Sequence, residues 1–332
     1  MEFCQPERMR AAYLTELGPA DAIRVGELPV PTPGPTDVLV RVELVVVDPV
    51  DALVRSGAYP TPTPFPFVVG RDLVGTVVAA GPGAVGFAAG DRVWCNSLGH
   101  GGRQGSFAEY AVVAAERLYH LPAAADPVAA VAVVHPAATA YLALFHHGGL
   151  RPGETVYVGG AAGNVGTAAT SLARAGGARV LAGARPGDAG WCRSAGAAEV
   201  VDYRDADLPG RLRALAPEGI DLFIDTSGRL DLPAAVDLLA HRGRILLIAG
   251  RTRRLTLPAG PLYTHDRRIL GMAISRAGVE ELAEAAAVLN DRLAAGTLPV
   301  RVRDVWPLER AAEAHRAVEG GVRGRIVLRV AP

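Results

Sequence analysis

The sequence contains no lysine, so all 34 of its basic residues are arginines. This absence excludes Schiff-base catalysis and lysine-dependent phosphate loops. The 34 bases are balanced by 34 acidic residues, and only 5% of the residues are aromatic, which disfavours nucleic-acid binding. The 3 cysteines are odd in number and far apart, which favours a reducing, cytoplasmic setting over a disulfide framework.

The sequence also lacks an uninterrupted apolar run long enough to predict a membrane span. Its most apolar stretch, residues 128–145, is broken by His135 and Pro136, and we expect a buried helix there. The opening MEFCQPERMR is too polar to predict a signal peptide. The expected partner is a small molecule, and neither a membrane nor a nucleic acid.

The pattern of the chain predicts an α/β fold with two domains. Roughly the first 120 residues contain strand and turn patterns, whereas strands alternate with helical patterns from residue 123 onward. Such alternation is typical of a doubly wound parallel sheet. A helical pattern over 278–295 and a closing strand GRIVLRV follow. We therefore expect a β-rich domain formed by residues 1–122 and 265–332, and a cofactor domain over 123–264.

Small residues connect a strand to a helix in the segment VYVGGAAGNVG. Ala161, Gly163 and Gly166 have the A-x-G-x-x-G spacing of a dinucleotide site, in which the first position permits a tight turn, the second admits a pyrophosphate and the third allows close packing. The helix start offers N–H groups to that anion. The predicted cofactor-binding residues of this segment are Ala162, Gly163, Asn164, Val165 and Gly166.

The next strand ends in Ala184 and Arg185, where a site for NAD usually has an acidic residue. An arginine is suited to the 2′-phosphate of NADP(H), which is the expected cofactor. A solvated loop arginine is the alternative interpretation of Arg185.

Several segments occur in a characteristic order. They are VVVDPVDALVRSGAYP (45–60), PFVVGRDLVGTVVAAGPGAVGFAAGDRVW (66–94), GSFAEYAVV (105–113), HPAATAYLAL (135–144), GGAAGNVG (159–166), GAAEVVDYRD (196–205) and GRIVLRV (324–330). In this order and spacing they resemble the medium-chain dehydrogenase/reductase superfamily, in its zinc-free quinone oxidoreductase branch.

This resemblance implies a GroES-like catalytic domain built from both chain ends, a central Rossmann domain, a nicotinamide in the cleft between them, and a homodimer. It places Thr139 near the nicotinamide and Tyr203 beside Arg185 at the adenosine 2′-phosphate. Ala249 and Gly250, which end the strand GRILLIAG, are expected to complete the cofactor site.

The zinc-dependent relatives have an early cysteine and a His-Glu pair after a glycine. Here residues 45–52 contain no cysteine, and the His-Glu position reads Arg71-Asp72, so no metal is expected. Asp48 replaces the asparagine usual in the quinone branch, Leu53 replaces a tyrosine, and Asp188 replaces the lysine of the loop after the second strand.

The candidate catalytic residues are Asp48, Tyr59, His135 and Thr139. Asp48 is an acid if apolar surroundings raise its pKa; otherwise it is an ionised residue that caps the turn before Pro49 or bonds ribose. His135 is a proton donor or merely a residue at a helix start before Pro136. Tyr59 lies in a proline-rich loop and either borders the substrate or only packs.

The function expected from these features is metal-independent transfer of hydride from NADPH to a quinone or an activated α,β-unsaturated carbonyl compound. An enoyl-thioester reductase is a second hypothesis, favoured by Asp48, Leu53 and the cluster Arg251, Arg253 and Arg254. A slow or non-catalytic NADP-binding protein with a structural or regulatory role is a third, because a cofactor site does not prove activity.

Overall fold

The computed structural model describes residues 6–330. The chain forms two compact units: one contains the residues up to His135 and those from Leu282 onward, and the other is Pro136–Glu281. We call them the discontinuous unit and the central unit. Both boundaries between the units lie inside helices. They are further along the chain than the domain boundaries expected from the sequence, at residues 122/123 and 264/265.

The helices and strands follow one another as the sequence pattern indicates, with strands first and alternation later. The strands are β1 (Arg8–Leu14), β2 (Arg24–Pro29), β3 (Asp37–Val46), β4 (Phe67–Val68), β5 (Asp72–Ala80), β6 (Arg92–Cys95), β7 (Tyr110–Ala114), β8 (Tyr119–His120), β9 (Thr155–Gly159), β10 (Arg179–Ala184), β11 (Glu199–Asp202), β12 (Ile220–Asp225), β13 (Leu239–Leu247), β14 (Arg268–Gly271), β15 (Val302–Pro307) and β16 (Arg325–Arg329). The helices are α1 (Pro49–Arg55), α2 (Pro127–Tyr141), α3 (Asn164–Ala175), α4 (Ala189–Ser194), α5 (Leu208–Leu215), α6 (Leu232–Asp237), α7 (Ala259–Tyr263), α8 (Val279–Ala294) and α9 (Ala311–Glu319).

The discontinuous unit is β-rich, as predicted. Its larger sheet has the order β15-β16-β3-β5-β6-β8, with β7 also paired to β3, and a smaller sheet has the order β2-β1-β4. The neighbours β3 and β5 are antiparallel, and β16 from the chain end pairs with β3. Leu39, Leu73, Phe107 and Leu328 are fully buried in one common core. The two ends of the chain therefore build one domain.

The central unit contains a six-stranded sheet in the order β11-β10-β9-β12-β13-β14, and all of its pairs are parallel. Its central strands β9, β10 and β12 are mostly apolar and buried, because the middle of a doubly wound sheet is covered on both faces. Strand order reverses between β9 and β12, which is the switch point where such sheets bind ligands at their carboxyl ends. The predicted doubly wound sheet is confirmed.

The apolar segment Pro127–His147 is a continuous helix in which α2 runs into a π-helix, Leu142–His147. It is long and apolar enough to cross a membrane, but 83% of its most apolar window is buried inside the protein, as in the core helix of a globular domain. His135 lies in the middle of α2, so the helix-start interpretation of this residue is wrong. A proline at 136 is tolerated because the preceding turn, residues 130–134, is fully packed in the core.

Candidate active site

The glycine-rich turn after β9 has the geometry of a dinucleotide site. Gly160 has a φ of +75°, a conformation that favours glycine, so the tight turn assigned to Ala161 is made by Gly160 instead. Gly163 is the N-cap of α3 and accepts a hydrogen bond from Thr167 N–H at 2.8 Å. The N–H groups of Asn164, Val165 and Gly166 are the first of the helix and have no intrahelical acceptor. These are the N–H groups predicted to bind an anion, at the positive end of the helix dipole.

Gly166 is the point of closest packing in this turn. A Cβ at Gly166 would lie 2.2 Å from the carbonyl oxygen of Gly160 and 2.8 Å from Cα of Ala161. A Cβ at Gly163 would be 3.2 Å from the same oxygen. Gly166, at the third position of the motif, therefore serves packing, and Gly163, at the second position, leaves its face open to a ligand.

Arg185 and Tyr203 meet at the carboxyl edge of the sheet. They follow β10 and β11, which are adjacent parallel strands with Ala184 opposite Asp202. The Arg185 guanidinium donates from Nε to the hydroxyl oxygen of Tyr203 at 2.9 Å. Both side chains stay accessible to solvent. The structure thus brings together the two residues expected at the 2′-phosphate.

The loops after β12 and β13 close the same edge. Asp225, which ends β12, accepts hydrogen bonds from Ser227 Oγ at 2.6 Å and Leu230 N–H at 3.2 Å. Gly228 and Gly250 both have positive φ, and a Cβ on Gly228 would lie 2.8 Å from the nitrogen of Gly250. Ala249 and Gly250 therefore lie at the carboxyl ends of the strands, as Arg185 and Tyr203 do.

The discontinuous unit contains a buried cluster of charged side chains. Its members are Asp48, Asp51, Arg71, Asp72, His135 and Arg325, each at most 7% exposed. Arg325 Nη2 donates to Asp48 Oδ1 at 2.7 Å, and His135 Nδ1 lies 3.3 Å from Asp72 Oδ1. Asp51 Oδ2 accepts from the backbone N–H of Asp48 at 2.9 Å. If all three carboxylates are ionised, the cluster is neutral only when His135 carries a proton.

The groups of this cluster shift one another's pKa values. Burial, reinforced by the charge of Asp48, raises the pKa of Asp72 to about 8. Burial lowers the pKa of His135, but the charges of Asp48 and Asp72 outweigh it and raise the pKa to about 9. Burial favours neutral Asp48, yet Arg325 and His135 hold its pKa below the usual range. The structure thus favours an ionised Asp48 at the start of α1 over the acid hypothesis, and it favours the protonated forms of His135 and Asp72.

The buried cluster does not fit a zinc ion. Asp48, Asp72 and His135 place three ligand atoms within 4.8 Å of one another. One oxygen of Asp48 is already bound to Arg325, however, and Arg71 lies beside Asp51, with Nε 3.9 Å from Oδ1. Two buried guanidinium groups supply the positive charge that the carboxylates need and would repel a divalent cation.

Tyr59 and the loop 95–105 lie together. The ring of Tyr59 is 5.8 Å from that of His100, and Gly101 N–H donates to Thr61 Oγ1 at 2.8 Å. Tyr59 lines a cavity of about 400 Å³ with Leu17, Val54, Gly57, Pro60, Thr61 and Pro62. Thr139 is buried one turn after His135 in α2, whereas Tyr263 is 75% exposed at the end of α7.

The sequence-based site omitted Asp51, Arg71, Asp72 and Arg325, which surround Asp48 and His135. Arg325 is separated from Asp48 by 277 positions in the chain. A weak signal was available, because a charged residue that opens the apolar strand β16 is expected to be paired when buried. Its partner could not be identified without the sheet register.

Comparisons with known proteins agree with this architecture. The family model described as an alcohol dehydrogenase GroES-like domain matches residues 34–123, and the one described as a zinc-binding dehydrogenase matches residues 164–291. Human quinone oxidoreductase is 33% identical over 328 residues, which cover 96% of this chain and 97% of that protein.

Solved structures extend the similarity to the whole fold. The crystal structure of AibC has a TM-score of 0.89 at 28% identity and covers 98% of this chain and 97% of that one. The structure of mycobacterial Rv1454c complexed with NADPH has a TM-score of 0.83 at 29% identity and covers 97% of this chain and 100% of that one.

A GroES-like domain together with a doubly wound sheet and its glycine turn defines an oxidoreductase of the dehydrogenase type, a class that uses a nicotinamide cofactor. The chain belongs to the medium-chain dehydrogenase/reductase superfamily, in its quinone oxidoreductase-like branch.

Proposed function

We propose that this protein transfers hydride from NADPH to a quinone or an activated α,β-unsaturated carbonyl compound without a metal ion. The observation that carries the proposal is the Arg185–Tyr203 pair at the carboxyl edge of β10 and β11. A guanidinium and a phenol hydroxyl are both donors to phosphate oxygens, and the 2′-phosphate is what distinguishes NADPH from NADH.

The charges around this pair support NADPH. Ala184 ends β10, so no carboxylate is available there to accept hydrogen bonds from a ribose 2′-hydroxyl. Asp202, which ends the neighbouring strand β11, is bound by Arg204 through contacts of 3.1 and 2.9 Å. Arg185 therefore places a positive charge at this edge, which suits a dianionic phosphate.

The cofactor, when bound, supplies the hydride. The residues of the chain orient it and move a proton. The N–H groups at the start of α3 bind the pyrophosphate, and Gly163 keeps their face clear. After it has accepted hydride, an activated alkene needs a proton at carbon, whereas a quinone that has accepted hydride takes a proton from solvent. The His135–Asp72 pair, in which both pKa values are raised, is our candidate proton donor for alkenes.

A thioester substrate is a second candidate, and it has one observation in its favour. Arg251, Arg253 and Arg254 are exposed in the loop after β13, at the carboxyl side of the sheet. Arginines at this place suit the phosphates of coenzyme A. An enoyl-CoA should then be reduced faster than the matching pantetheine thioester, which lacks the nucleotide phosphates.

The first test is fluorescence titration with NADPH and NADH, using wild-type protein, Arg185→Ala and Tyr203→Phe. We expect Arg185→Ala to lose about 1.5 kcal/mol of NADPH binding, or roughly tenfold in Kd, because it removes one charge-assisted contact at an exposed site. Binding of NADH should not change. The matched control is Arg213→Ala, which removes an exposed arginine from the last turn of α5.

Turnover is then followed as NADPH oxidation with a quinone, an enone and the two thioesters. Equal loss of NADPH and NADH binding in Arg185→Ala would contradict the 2′-phosphate assignment. Tight NADPH binding without turnover on any acceptor would instead support the non-catalytic alternative.

A further inference from the structure

We propose that His146, His147 and Glu281 form a binding site for a divalent transition metal ion of the Zn²⁺ type on the central unit. Each residue offers one ligand atom, and the three atoms lie within 4.8 Å of one another. His146 Nε2 is 2.7 Å from Glu281 Oε1, and the two histidine rings are 4.9 Å apart at an angle of 74°. This proposal does not depend on the proposed reductase activity.

The local structure explains why two consecutive histidines can act together. In an α-helix, neighbouring side chains point about 100° apart, which separates their donors. His146 and His147 instead end the π-helix Leu142–His147, whose wider turn reduces that angle. Gly148 follows directly and ends the helix.

Glu281 is held in place by the start of α8. Its Oε2 accepts a hydrogen bond from the backbone N–H of Gly278 at 2.6 Å, as in a helix cap. This bond leaves Oε1 directed at His146. One oxygen thus orients the carboxylate, and the other is available as a metal ligand.

The donor set suits zinc in both chemistry and spacing. Two imidazoles and one carboxylate are ligands that zinc commonly uses, with a water in the fourth position. Tetrahedral bonds of about 2.0–2.1 Å place ligand atoms about 3.3 Å apart. That spacing lies between the 2.7 Å separation of His146 Nε2 and Glu281 Oε1 and the 4.8 Å within which all three ligand atoms lie.

A bound ion would connect two segments that are remote in sequence, the end of the π-helix and the first turn of α8. Because the unfolded chain does not assemble these ligands, zinc should stabilise the folded protein according to its concentration relative to Kd. The bound ion should therefore stabilise the fold at the surface of the central unit.

The test is isothermal titration of Zn²⁺ into metal-stripped full-length protein without an affinity tag, in a buffer that does not chelate zinc. We expect one zinc ion per chain for the wild type. His147→Ala and Glu281→Gln should weaken binding by more than about 100-fold, the upper end of the roughly 10–100-fold effect of outer-sphere changes. Glutamine at 281 keeps an oxygen for the Gly278 cap, so this variant should fold normally.

The matched control is His241→Ala, because His241 is also exposed and lies 3.8 Å from one carboxylate, that of Asp266. It should leave zinc binding unchanged. Zinc should also raise the thermal midpoint of the wild type and of His241→Ala, but not that of His147→Ala. Absence of binding in the wild type, or unchanged affinity in both His147→Ala and Glu281→Gln, would overturn the proposal.

Discussion

Gly163 and Gly166 lie three positions apart, and alanine at each should affect a different property. Gly166→Ala should lower the stability of the fold, whereas Gly163→Ala should lower the affinity for the cofactor. At Gly166 the new methyl group would meet three backbone atoms, one at 2.2 Å and two at 2.8 Å, none of which can rotate away. The start of α3 would have to move by about 1 Å, and overpacking of this kind costs about 1–3 kcal/mol or more. Alanine regains up to about 1 kcal/mol of helix propensity. We therefore expect a net loss of about 2 kcal/mol.

At Gly163 the same substitution meets only one atom, the carbonyl oxygen of Gly160 at 3.2 Å. Gly163 has φ −78° and ψ 174°, which alanine adopts without strain. Its stability should fall by no more than about 1 kcal/mol, the cost of a poorer N-cap. The methyl group would, however, stand where the backbone approaches a pyrophosphate, so Kd for the dinucleotide should rise about tenfold or more.

The two variants are compared by thermal unfolding without cofactor and by fluorescence titration of NADPH. For a unit of about 150 residues, 2 kcal/mol corresponds to a decrease of about 4–8 °C in Tm for Gly166→Ala. Gly163→Ala should keep nearly the wild-type Tm and lose binding. If Gly163→Ala binds NADPH as the wild type does, or if Gly166→Ala is as stable as the wild type, the packing argument fails.

Two further predictions concern buried charges of the discontinuous unit. Arg325→Met should destabilise the protein by about 3–5 kcal/mol, because it leaves Asp48 buried without its partner. Adding Asp48→Asn in a double variant should recover most of that loss. Urea unfolding of the wild type, the two single variants and the double variant measures both effects, and a double variant no more stable than Arg325→Met would contradict the prediction. Burial and nearby Arg55 lower the pKa of His315 to about 3, so the folded state keeps this ring neutral and stability is lost as pH falls below about 6.5. The loss should reach about 2 kcal/mol by pH 5 in the wild type. This contribution should be absent in His315→Leu, which is tested by measuring the unfolding free energy of both proteins at pH 5 and at about pH 6.5.

Local patterns in the sequence were sufficient for the architecture of the central unit. Continuous apolar strands alternating with helices predicted the parallel sheet, because strands covered on both faces need no polar alternation. The adjacency of Arg185 and Tyr203 was implied by the family resemblance, and its physical reason is that the adjacent parallel strands β10 and β11 end at one edge. The role of Gly166 was evident for a similar reason, because the spacing of a strand, turn and helix is a local property.

The interior of the discontinuous unit was decided only by the tertiary structure. Arg325 reaches Asp48 because β16 pairs with β3, and no local pattern encodes that register. His135 was placed at a helix start because proline usually marks one, whereas packing of α2 overrides that preference. The protonation of Asp48, Asp72 and His135 likewise depends on charges brought together from distant segments in a buried environment, where each group changes the free energy of the others. The sequence therefore determined the cofactor edge, and long-range folding determined which groups hold the proton.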